Sequence, residues 1–126
     1  MRLLTPQSHL QDAASGSILQ LNNDAELQGL ALDGVTRIEL QFPKFSDGRA
    51  FSQAVTLRRR LGFKADIRAT GDVLVDQLVQ MQRSGFDSAV LRDDQDFSVA
   101  ERQLSRFAAF YQGDERESAP HFRRAA

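Results

Sequence analysis

Three times between Val35 and Gln112 a short extended apolar run gives way to a helical stripe, with only a few residues between the two. No other feature narrows the fold as much. A period of two followed by a period of 3.6 is the pattern of a βα unit. Units strung together by short loops build parallel strands with right-handed crossovers. The first run is the clearest: Ile38, Leu40 and Phe42 point one way, and Arg37, Glu39 and Gln41 the other. A strand half polar in this way belongs at a sheet edge or under a partly covered face. Pro43 ends it by removing an N–H donor. Ser46 or Asp47 then caps a helix from about residue 49 to 61, with Phe51, Ala54, Leu57, Arg58 and Leu61 along one stripe and Gly62 as its stop. Arg58, Arg59 and Arg60 sit in its last turn, where they complement the helix dipole and read as a solvated face.

The cycle repeats. Residues 63–69 form a strand, Gly71-Asp72 turns and caps, and residues 73–83 form a helix with Leu74, Leu78 and Met81 inward, stopped by Gly85. Residues 86–91 are the next strand. Asp93, Asp94 and Asp96 crowd the start of the last helix, residues 98–112, whose stripe is Ala100, Leu104, Phe107, Ala108 and Tyr111. A weaker unit leads: a strand with Ile18, Leu19 and Leu21, a short helix over residues 24–32, and a turn at Asp33-Gly34. Residues 1–14 read as a flexible arm with room for a short strand at Arg2–Leu4. Residues 15–112 make one α/β domain, and residues 113–126 a charged tail too poor in apolar side chains to order by itself. The expectation is a mainly parallel sheet of three to four core strands. It is either an open sheet with helices on both faces or a half barrel, whose open edge favours a homodimer.

Composition excludes more than it suggests. The 126 residues carry a net charge of −1, so no basic field recruits nucleic acid or an acidic membrane. There is no cysteine, which rules out a disulfide, a thiol nucleophile and a Cys-ligated zinc or iron–sulfur centre on this chain. No apolar run has the length of a membrane span, no secretory h-region opens the chain, and a cytoplasmic location is the expectation. His9 and His121 stand near opposite ends without neighbouring ligands, and the acidic group at residues 93–96 lacks calcium-loop spacing, so no metal is expected. No Gly-x-Gly-x-x-Gly follows a strand, and no flavin, nicotinamide or haem signature is present, so no cofactor is expected.

In a parallel sheet the loops leaving the strand C-termini share one rim, where α/β proteins place their working residues. Three such loops, at residues 43–49, 70–72 and 92–96, bring together Lys44, Asp47, Gly48, Arg49, Arg68, Gly71, Asp72 and Arg92. The glycines permit close backbone approach, and helix N-termini with Lys44, Arg49, Arg68 and Arg92 suit an oxyanion. Asp47 and Asp72 orient those cations or exchange a proton. Capping accounts for Ser46, Asp47, Thr70 and Asp72 equally well, and ordinary turn chemistry for Gly48 and Gly71.

The segment Phe42-Pro43-Lys44-Phe45-Ser46-Asp47-Gly48-Arg49, with Ser52-Gln53-Ala54 after it, resembles a bacterial family known as domain of unknown function nine-three-four. The likeness continues through Leu61-Gly62-Phe63, Arg68-Ala69-Thr70-Gly71-Asp72-Val73-Leu74 and Arg83-Ser84-Gly85-Phe86-Asp87, and spans about residues 35–112. That family is described as a probable oxidoreductase of sulfite reduction, with genes that neighbour those of assimilatory sulfite reductase. The resemblance implies an accessory protein of sulfur assimilation that acts with the sulfite reductase hemoprotein. The alternative is a small oxidoreductase or oxyanion-binding enzyme working at the strand rim.

Overall fold

The structure, a computed structural model, describes residues 1–12, 16–44 and 46–110, with side chains to residue 106. The elements run β1 (Arg2–Leu4), α1 (Pro6–Gln11), β2 (Ser17–Leu21), β3 (Val35–Phe42), α2 (Arg49–Arg59), β4 (Asp66–Gly71), a 3-10 turn (Val75–Gln77), α3 (Leu78–Ser84), β5 (Ser88–Val90) and α4 (Phe97–Phe110). The strands form one five-stranded sheet in the order β1-β5-β4-β3-β2, and every pairing is parallel. This is the open α/β sheet that the alternation of elements predicts. The strand beyond the expected three to four is β1, which seats its three residues against β5.

Strands β2 to β5 lie side by side in chain order. Helices α2, α3 and α4 all pack on the same face. Ala50, Ala54 and Leu57, then Leu78 and Met81, then Ala100 and Leu104 join one buried cluster with Ile38, Leu40, Phe42, Ile67, Ala69 and Ala89. Phe42 anchors it, its ring centroid 5.1 Å from that of Phe51 in an edge-on contact and 5.8 Å from that of Phe86. Each such side chain contributes about 1.5–3 kcal/mol by leaving water.

Several local expectations shift. β3 is an interior strand between β2 and β4, so its polar side belongs to a partly covered face rather than an edge. Residues 24–32 form turns instead of a helix. Gly29 adopts φ 80°, and Leu27 and Leu32 reach the core from irregular backbone. β4 begins at Asp66 rather than residue 63, because Phe63 closes α2 by donating its N–H to Leu57 O. The helix expected over residues 73–83 starts late. Leu74 is extended, and the Val75 N–H goes to Gln95 Oε1, leaving a 3-10 turn before α3. Arg58 is not solvated. It donates to the carbonyls of Phe63, Ala65 and Gly85 and to the Asp87 carboxylate, tying the end of α2 to the starts of β4 and β5. The charged tail, His121 and Tyr111 lie outside the described residues.

Candidate functional site

Parallel pairing puts the C-termini of β3, β4 and β5 at one end of the sheet, with Phe42 beside Gly71 in register. The loops after them are stitched by backbone: Asp72 N–H donates to Phe42 O at 2.7 Å, and Arg92 N–H to Val73 O at 3.2 Å. Gly71 makes this stitch possible. Its φ is 91°, and a Cβ there would lie 2.5 Å from Phe42 O.

Rim side chains divide into two ion-paired groups. Asp47 holds Arg49 through Nη2 at 2.7 Å and Nε at 3.1 Å, and accepts from Asn23 Nδ2 at 2.6 Å. Hydrogen bonds from the Arg49 side chain and backbone, with one from Asn23, hold the Asp47 carboxyl down at about 2. Arg92 bridges Asp94, at 2.6 Å from Nη2, and Asp72, at 2.6 Å from Nη1. Those two carboxylates, Asp94 first, raise its guanidinium pKa. Lys44 and Gly48 are exposed, and Gly48 occupies the N-cap of α2 with no side-chain cap. Around this rim the carboxylates of Asp47, Asp72, Asp76, Asp93, Asp94 and Asp96 outnumber the cations of Lys44, Arg49 and Arg92. That balance disfavours an oxyanion at the rim.

Arg68 lies elsewhere. Alternation along β4 turns Asp66, Arg68 and Thr70 to the face opposite the three helices, beside Glu39 and Ser88 in register. Helix α1 crosses this second face and closes a charged network. Arg37 pairs with Glu39 at 3.0 Å and Asp12 at 3.1 Å, and Arg68 with Asp12 at 2.7 Å and Asp66 at 3.3 Å. Ser88 Oγ accepts from Arg68 Nε at 2.8 Å. His9 sits within the network, Nδ1 3.0 Å from Arg68 Nη1 and Nε2 3.8 Å from Glu39. Desolvation, with Arg68 and Arg37 nearby, lowers its pKa against the opposing pull of Glu39 and Asp12. Asp12 is held down at about 2 by hydrogen bonds from Arg2 and Arg68. Past the network, toward the strand C-termini, the face opens into a cavity of about 190 Å³ lined by Gln20, Leu21, Asn22, Glu39, Gln41 and Thr70.

Sequence reasoning missed this face as a site. Its signal was present: the polar alternation Arg37, Glu39, Gln41 recurs as Asp66, Arg68, Thr70, and the two series align once β3 and β4 pair in parallel. His9 and Asp12 gave no signal, because only the path of α1 brings them there. Among the described residues no group of three or more His, Cys, Asp or Glu side chains is arranged to hold a metal ion. No helix among them is long and apolar enough to cross a membrane.

A family model described as a bacterial protein of unknown function, DUF934, matches residues 18–122. The match takes in β2 to α4, including Arg37 and Arg68; β1 and α1, with His9 and Asp12, precede it. No curated protein matches the chain.

Proposed function

The chain belongs to this bacterial family, and we propose that it is an accessory protein of assimilatory sulfite reduction that works with the sulfite reductase hemoprotein rather than alone. The observation that carries the accessory role is the second face of the sheet. Parallel sheets are normally covered on both faces. Among the described residues three helices cover one face, and the six residues of α1 the other. Gln20 and Gln41 remain exposed on it, and Ile18 and Leu10 expose 40% and 85% of their surface. A partner that completes this cover buries those side chains and leaves the rim open. The pathway itself rests on the family resemblance and on the gene neighbourhood that goes with it.

The test is co-purification with the hemoprotein subunit, scored for complex formation and for change in sulfite turnover. The wild-type chain and Arg49→Ala are expected to bind equally, since Arg49 lies on the rim. Ile18→Glu combined with Gln41→Arg is expected to abolish binding without loss of the folded circular dichroism spectrum. A complex indifferent to the double substitution removes the surface, and failure of the wild-type pair to associate removes the partner.

A further inference from the structure

On the charged face one carboxylate receives more donors than a structural ion pair needs. Asp12 Oδ2 lies 2.7 Å from Arg68 Nη2, 3.1 Å from Arg37 Nη1 and 3.4 Å from Arg2 Nη1, and Oδ1 lies 3.0 Å from Arg2 Nη2. Three guanidinium groups thus converge on two oxygens. Two of them are fixed in interior strands. The Arg37 side chain is 7% exposed and backed by Glu39; that of Arg68 is 1% exposed and backed by Asp66 and Ser88. The carboxylate comes from a different kind of element. It caps the end of a six-residue helix none of whose residues is buried. Donors fixed in interior strands therefore meet an acceptor carried at the end of a surface helix.

Charge points the same way. Arg2, Arg37 and Arg68 are balanced by Asp12, Glu39 and Asp66. His9 is neutral in this arrangement, because Arg68 Nη1 directs a proton at its Nδ1. Without Asp12 the face holds one positive charge in excess and several unfilled N–H donors in a partly dry setting, which is costly. Planar guanidinium forks are well matched to oxyanions, and charge-assisted bonds of this kind are the strong ones.

We propose that Arg2, Arg37 and Arg68 form a cradle for a small inorganic oxyanion of the sulfate, sulfite or phosphate class, and that Asp12 fills it as an intramolecular competitor. Arg2, with 60% of its side chain exposed, and Asp12, with 20%, leave that side of the cradle open to solvent. The cradle is separate from the rim, and its ligand is titrated into the chain alone, with no hemoprotein present.

Calorimetric titration at pH 7 with sulfate, sulfite and phosphate in turn, ionic strength fixed with sodium chloride, tests it. Asp12→Asn is expected to bind at least one of the three about tenfold more tightly than the wild-type chain, since it removes a tethered competitor. Adding Arg2→Ala, a change at an exposed side chain, is expected to reverse most of that gain. Equal affinities of the wild-type chain and Asp12→Asn for all three anions, or a gain that survives Arg2→Ala, overturns the cradle. If Asp12→Asn melts too readily to titrate, its unfolding midpoint gives the answer. Millimolar sulfate or phosphate must then raise that midpoint more than it raises the wild-type midpoint at matched ionic strength. Equal shifts overturn the cradle as well.

Discussion

The two faces of the sheet are made by alternate residues of the same strands, yet they are held together by opposite physics. Ile38, Leu40 and Ile67 lie under three helices and need only to be apolar and of suitable size. Arg37, Glu39 and Arg68, their immediate neighbours in sequence, are nearly as buried but depend on individually placed partners. Burial of apolar groups is non-directional, so the first face tolerates substitution gradually. A buried ion network fails when one member is removed, because the others are left charged and unpaired. What the comparison teaches is where this protein concentrates specificity: on the face that the short helix α1 crosses.

The sharpest test of that difference is Arg68→Met. It keeps the volume and removes the charge that joins Asp12, Asp66 and Ser88, at an expected cost of about 3–5 kcal/mol in urea unfolding. Its effect is expected to be non-additive with Asp12→Asn, which breaks the same pair, and additive within about 0.5 kcal/mol with Leu57→Ala on the far side of the sheet. A cost below about 1 kcal/mol would mean that the charged face contributes nothing particular.

Next in size is Gly71→Ala. The added methyl meets Phe42 O, and the backbone conformation is one that only glycine adopts without strain. A loss of about 1–3 kcal/mol is expected from the same unfolding measurement. The defect should be local, with amide exchange faster at Asp72 and Arg92, the residues that stitch the rim, and unchanged at β2.

Acid should separate the faces without any substitution. The folded His9 has a lowered pKa, so folding favours its neutral form, and the unfolded chain binds more protons. That contribution is complete above pH 6.5 and is lost as the pH falls through the lowered folded value. Arg37, Arg68, Glu39 and Asp12 all face the ring. Asp12 adds a second loss in the range from about 4 down to about 2. Unfolding midpoints followed from pH 8 to 5 are expected to decline, and His9→Gln to flatten that slope. Among the described residues the buried cluster of the apolar face holds no titrating side chain.

Arg49→Ala is expected to have the smallest effect of all. The guanidinium is exposed and its partner Asp47 keeps the Asn23 bond, so the unfolding midpoint stays where it is in the wild-type chain. A large drop would show that the rim, and not the charged face, carries the critical ion pairs.

The contrast also sets how much was legible in the sequence. Apolar periodicity is a local property, so β3, α2 and the parallel α/β class could be read from consecutive residues. The 24–32 segment was misread because its leucines have helical spacing while Gly29 turns the backbone. The rim loops were placed at one end of the sheet because parallel connectivity requires it. Their ion pairing was not legible, since it depends on side-chain geometry. The charged face was least legible: Asp12 and Arg68 are 56 positions apart, and only the crossing of α1 joins them. Arg58 shows the same limit on the other face of the sheet. Its position in a run of three arginines suggested solvent, and its partners come from Gly85 and Asp87.

The strand order has a consequence for the time course of synthesis. β1 is made first, but the strand it pairs with, β5, is made last. At roughly 5–20 residues per second, the first strand waits on the order of several seconds for its neighbour to leave the ribosome. During that interval α1 has no complete sheet to cross, and Asp12 has neither Arg37 nor Arg68 beside it until β3 and β4 follow. Sequence-distant pairings of this sort are slow to form. The ion network therefore cannot close before Arg68, 56 positions after Asp12, has been made.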